Sequence, residues 1–262
     1  PWDVWERAIQ ETHRRGLAFY MDALGHTAIE ALASKGIDGY KIHATNINNG
    51  KILKLVAQTK KTVLLSTGGC GKEEIDRALG VLQGWSVTIM HGFQAEPTDL
   101  PDNHIRRITT LKDLYGLPIG FQDHTAGDSE FALLAPLVAI GAGATVIEKH
   151  ITLSRAAKVE DYVSALNTEE FIKWVKMMRE MYLVLGNKEW VLTEKEREYR
   201  KKVKRAVCTI SAIAKGEEVR EELLTYKRTA QTDVIYEMSE ASGKKAAQDI
   251  PRNTPLKKEY LL

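Results

Sequence analysis

The chain has 262 residues, 44% hydrophobic and 27% charged, an ordinary globular balance with room for one large domain, or a large and a small one. Lys and Arg total 37 against 35 Asp and Glu, a net charge of +2, so no global field argues for a nucleic acid or a membrane surface as partner. No apolar run reaches the length of a membrane span and no signal-peptide pattern opens the chain. Cys70 and Cys208, two and far apart, suggest no disulfide framework, and a reducing cytoplasm is the expected location.

In chain order, "WDVWERAIQETHRRG" opens as a helix directly after Pro1, without a methionine. Short apolar or β-branched runs follow at 17–21, 40–44, 62–66, 87–91, 118–121 and 144–150. Between and after them lie helical stretches at 26–36, 49–61, 71–83, 102–116, 128–140 and 167–185, most of them ending at Gly. Buried strands alternating with amphipathic helices predict βαβ units and a parallel sheet. Even, short loops and no GxGxxG after the first run favour a closed (β/α) barrel over a dinucleotide-binding fold. Six runs are present in a fold that needs eight strands. The expected α/β architecture is therefore a (β/α)8 TIM barrel lacking its first two strands, which belong before Pro1. Its first and last strands should lack their closing neighbours.

The character changes after Gly186. "TEKEREYRKKVKR" (193–205) is strongly charged and reads as a solvated helix or linker, and short β-like runs broken by turn signals fill the remainder. The expected organisation is an incomplete barrel over 1–190, a charged linker over 191–205 and a small β-rich domain over 206–262. Two similar segments, 210–216 and 245–253, hint at pseudo-symmetry within that last domain.

Catalytic side chains of a parallel barrel sit at the C-terminal ends of its strands. His124 in "PIGFQDHT" and His150 in "TVIEKHIT" fall there on consecutive units. Two neutral imidazoles plus water suit a divalent transition metal with open positions. Asp123 and Glu148 are candidates to orient the rings from behind. The alternative is that each histidine caps its strand and hydrogen-bonds locally. Lys41 could hold an anionic substrate or pair with an acidic neighbour. The turn at Ser66, Thr67, Gly68 and Gly69 could cradle a phosphate or carboxylate, or be only a turn. His91 could be a third polar group or a packed histidine under the loop; His43 has no defensible role.

These motifs together, "HGFQAEPT", "GFQDHT", "GATVIEKHITL" and the C-terminal "AIAKGEEV…KR…GKKAAQDI", resemble the sialic acid synthase (N-acetylneuraminate synthase) family, with its legionaminate, pseudaminate and spore-coat polysaccharide synthases. The resemblance covers nearly the whole chain. It implies a (β/α)8 barrel followed by a small antifreeze-like (SAF) domain, working as a domain-swapped homodimer. It also implies condensation of phosphoenolpyruvate with an N-acetylated amino sugar, assisted by a divalent metal, manganese before magnesium or cobalt. By the same resemblance His124 and His150 are the metal ligands and Lys41 and Ser66 contact phosphoenolpyruvate. Asp161 contacts the sugar, and Arg228 is the arginine that the small domain delivers into a partner's active site. Gln94, with Asn46 and Glu96, completes the expected substrate site.

The chain departs from the family pattern at several of these positions. The first two strands, with a lysine and a glutamine for phosphoenolpyruvate, have no counterpart. Asp22 stands where a phosphate-contacting threonine is usual, and a carboxylate near a phosphate is electrostatically unfavourable. Ala44 replaces a phosphate-contacting serine, Asn46 an acidic residue that contacts the sugar, and Glu96 a tyrosine. Three functions follow. The first is a metal-assisted condensing enzyme with an altered acceptor. The second is a degenerate, non-catalytic member serving as a binding or scaffold protein, and the third a different aldol-type or lyase reaction in the same barrel.

Overall fold

The computed structural model describes every residue except Pro1, Ala23, Phe93 and Gln94. The chain forms two units, Pro1–Gly186 and Asn187–Leu262. In the first, six strands lie in sequence order, each parallel to the next: β1 (Tyr20–Asp22), β2 (Gly39–Ile42), β3 (Thr62–Ser66), β4 (Val87–His91), β5 (Ile119–Asp123) and β6 (Val146–Lys149). Helix α1 (Trp2–Arg14) precedes them. Helices α2 (His26–Ala33), α3 (Gly50–Gln58), α4 (Lys72–Val81), α5 (Arg107–Tyr115) and α6 (Phe131–Gly141) connect them, and α7 (Thr168–Leu185) follows β6.

The sheet is curled into part of a barrel. Strands β2 and β6 stand four places apart in the order, which in a flat sheet is roughly 19 Å at the usual strand spacing. Yet Lys41 Nζ on β2 donates to Glu148 Oε1 on β6 at 2.8 Å. Only curvature brings them together. Among the described residues, β1 and β6 each pair on one side only, as expected for a barrel missing two strands.

Side-chain alternation decides what faces the concavity. Tyr40, Ile42, Val63 and Leu65 pack outward against Ile52, Val56, Ile75 and Ala78 of the helices. Ile119 and Phe121 pack outward against Ile108, Ala135 and Ala139. The intervening positions (Lys41, Ser66, Gln122 and Glu148) are therefore left for the inner face, where they bond to one another.

Several boundaries fall a few residues from the sequence expectation, and two of these shifts bear on the layout of the barrel mouth. The first strand spans Tyr20–Asp22 rather than 17–21, which sets Asp22 in register with Lys41. Helix α5 begins at Arg107 rather than 102, because Leu100–Asn103 forms a 3-10 turn with proline at its start and His104 adopts a left-handed φ of 41°.

In the second unit, the charged segment becomes α8 (Glu194–Val203), started by a capping box between Thr193 and Glu196. Strands β7 (Arg205–Thr209) and β8 (Leu224–Arg228) pair antiparallel. Val207, Ile213, Val219, Ile235, Ile250 and Leu256 form this unit's own core. The two look-alike segments pair with each other, Ile213 and Ile250 exchanging backbone hydrogen bonds of 2.9 and 2.8 Å. No helix among the described residues is long and apolar enough to cross a membrane.

Candidate functional site

His124 follows the last residue of β5 and His150 the last of β6, on the same parity as the inward-facing Gln122 and Glu148. Their ring centroids lie 5.1 Å apart, with planes tilted by 60°. His124 is buried and its Nδ1 has no hydrogen-bond partner. Burial first, and the neighbouring His150 second, hold the His124 imidazole below its usual pKa, so the neutral ring is favoured.

A third donor converges from the segment after β4. Glu96 Oε1 is 3.3 Å from His150 Nε2 and 3.9 Å from His124 Nε2. One ligand atom from each of the three residues falls within 4.8 Å of the others. The backbone braces this arrangement, since Thr98 N donates to His124 O at 2.9 Å. Burial, then the nearby Asp161 carboxyl, pushes the Glu96 carboxyl above its usual pKa. Asp161 Oδ2 lies 3.7 Å from His150 Nδ1, on a backbone in the left-handed region at φ 57°. Two imidazoles and a carboxylate suit a divalent transition metal and leave positions for water or substrate. With His124 Nε2 and His150 Nε2 both turned to Glu96 Oε1, these residues fit such an ion.

The loop after His124 passes very close to the one carrying Asp161. A Cβ on Gly127 would lie 2.0 Å from Ala165 O. Gly127→Ala is accordingly expected to destabilise the fold by about 3 kcal/mol or more, at the upper end for overpacking, read from urea denaturation.

Below the histidines, a polar chain spans the concave face. Lys41 bonds Glu148 at 2.8 Å, Gln122 Nε2 donates to Glu148 Oε1 and Ser66 Oγ at 3.1 Å each, and Gln122 Oε1 has no partner. Asp22 Oδ1 is also unpartnered, and burial raises the Asp22 pKa. Gln122, a site residue with no motif of its own, is placed inward by its alternation with Phe121 and Asp123.

The expectation that Asp123 and Glu148 orient the imidazoles is corrected. Glu148 is taken by Lys41 and Gln122. Asp123 faces the helix side, where its Oδ1 accepts from Thr125 N at 2.8 Å and its Oδ2 lies 2.9 Å from Lys149 Nζ. Both side chains of this ion pair are fully buried. The contact lacks hydrogen-bond alignment at Oδ2; Lys149 Nζ donates to Thr125 O at 2.8 Å. Burial lowers the Lys149 pKa, and the Asp123 carboxylate works against that shift.

Other candidates lie elsewhere. His91 is buried with Nε2 3.0 Å from Asn103 O, on the outward parity of β4, and is the packed histidine of the two alternatives. His43 caps the 3-10 turn Ala44–Asn46, where Asn46 Oδ1 accepts from Asn49 at 3.4 Å. Arg228 ends β8 in the second unit, exposed. Gln94 lies outside the described residues.

The sequence model of the NeuB family matches residues 1–190. The chain belongs to the NeuB family. It is 31% identical over 216 residues to an uncharacterized protein of Methanocaldococcus jannaschii, covering 81% of this chain and 63% of that one. It is 27% identical to the N,N'-diacetyllegionaminic acid synthase of Legionella pneumophila, covering 94% of this chain and 70% of the relative. The chain thus spans about two thirds of the length of these NeuB-family relatives. The fold also matches a crystal structure assigned to spore coat polysaccharide biosynthesis protein E of Chromobacterium violaceum. That match has a TM-score of 0.83 and 23% identity, and covers 98% of this chain and 77% of the other.

Proposed function

We propose that the full-length protein joins phosphoenolpyruvate to an amino-sugar aldehyde and releases phosphate, giving a nonulosonic acid. The observation that carries this reading is the convergence of His124, His150 and Glu96 above Lys41 and Ser66 in one concave face, in a chain whose relatives include a legionaminic acid synthase. His124 and His150, with Glu96 beside them, would hold a divalent metal, manganese first. When bound, such an ion supplies Lewis acidity toward the aldehyde oxygen. Lys41 and Ser66 hold the phosphoenolpyruvate anion, Lys41 exchanging Glu148 for it. The methylene carbon of phosphoenolpyruvate forms the new bond to the aldehyde carbon, water adds to the cationic carbon left behind, and phosphate departs. By the family resemblance Asp161, Asn46, Gln94 and Glu96 would contact the acceptor. Residues 206–262 act as an antifreeze-like domain tethered by 191–205, and Arg228 supplies positive charge to the substrate anion of a second copy in a swapped dimer.

A second reading, a non-catalytic binding member of the family, draws support from Asp22 opposite Lys41 and from the pairing of Lys41 with Glu148. Phosphate release from phosphoenolpyruvate, assayed with the full-length protein, manganese and a panel of amino sugars, separates the two. The expected result is metal-dependent release, at least about tenfold faster with an acceptor bearing a cationic or donor-rich substituent than with N-acetylmannosamine. Glu96 motivates that preference, because a carboxylate favours donors. No release by folded, metal-loaded protein would leave the binding reading; equal use of N-acetylmannosamine would remove the altered acceptor.

A further inference from the structure

We infer that the buried Asp123–Lys149 pair is a staple that sets the spacing of His124 and His150, making both positioning residues for the metal site. The inference rests on the metal reading above. Asp123 and Lys149 are register partners on β5 and β6, and each is followed directly by one of the histidines. Their side chains, 2.9 Å apart and fully buried, lie on the helix side of the sheet, opposite the site. Lys149 also grips Thr125 O at 2.8 Å while Asp123 grips Thr125 N at 2.8 Å. The residues on either side of His124 are thus fastened to the strand that carries His150. One cross-strand clamp fixes both imidazole-bearing backbones without touching either ring.

A hydrophobic pair of similar volume would hold the sheet together as well, since buried ion pairs are weak sources of net stability. What the pair adds here is direction: Lys149 can bond Thr125 O while its charge stays beside Asp123 only with the two strand ends at one offset. Loss of supports that orient metal ligands typically weakens metal binding about 10- to 100-fold.

The test compares the full-length protein with the charge-free double variant Asp123→Asn/Lys149→Met, with Asp123→Asn alone, and with His124→Ala. Asn keeps the acceptor for Thr125 N, so the turn survives. Manganese(II) affinity is read by electron paramagnetic resonance of the free ion, at a temperature where circular dichroism shows each protein folded. The expected result is a roughly tenfold weaker affinity in the double variant, and a smaller loss in Asp123→Asn, which keeps the bond from Lys149 to Thr125 O. Unchanged affinity in a folded variant, while His124→Ala loses the ion, would overturn the staple and leave the metal site standing. No binding by the unaltered protein would overturn both.

Discussion

Replacing His124 with alanine is expected to weaken manganese(II) binding by more than about 100-fold, beyond the range seen when only a ligand's supporting contact is lost. The fold should survive. The ring caps a strand at the mouth and takes no part in the hydrophobic clusters on the helix side, so about 1–2 kcal/mol, an ordinary substitution cost, is the expected penalty. His150→Ala should behave alike in metal binding with a smaller stability cost, because its side chain is 30% exposed against 8% for His124. Acid should release the ion by protonating His124. Burial holds the His124 pKa down, so its protonation demands a pH below the ordinary histidine value of about 6.5. Titration of the free-ion signal from neutral to acid pH checks this, and release centred above that value would contradict it. Phosphate release from phosphoenolpyruvate should vanish in both variants. Full metal affinity in either variant would remove that histidine from the metal site.

Much of this was legible in the residues. Alternating β-branched runs and Gly-terminated helices gave six parallel strands in order, since burial on both sheet faces writes itself as short apolar runs. The two histidines were legible too, because strand-end positions in such a sheet converge on one mouth. The partnership of Lys41 with Glu148 was not. It depends on how tightly the sheet curls, and curvature is a sum of small twists that no local run encodes. Strand parity carries a further signal. Phe121 is buried outward, so Gln122 had to point inward and Asp123 outward, which excludes Asp123 from the imidazoles. His91 shares the outward parity of Ile89, which is why it packs beneath the loop instead of joining the site. The place of Glu96 beside the two imidazoles depends on where the segment after β4 folds back, fixed by the bond from Thr98 to His124. At Asp123, then, sequence position suggested one role and three-dimensional neighbours supplied another.

Lys149→Met is expected to cost about 3–5 kcal/mol of stability, the range for removing one partner from a buried ion pair. Methionine fills nearly the same space, so packing is not the cause. The Asp123 carboxylate remains fully buried with its countercharge gone, and Thr125 O loses its donor. For a unit of this size that corresponds to a melting temperature about 6–20 °C lower. A second substitution identifies the source. Adding Asp123→Asn removes the stranded charge and should restore most of the loss. Urea denaturation measures all three proteins. A deficit that Asp123→Asn does not relieve would mean that Lys149 stabilises the strand ends through its bond to Thr125 O rather than through its charge.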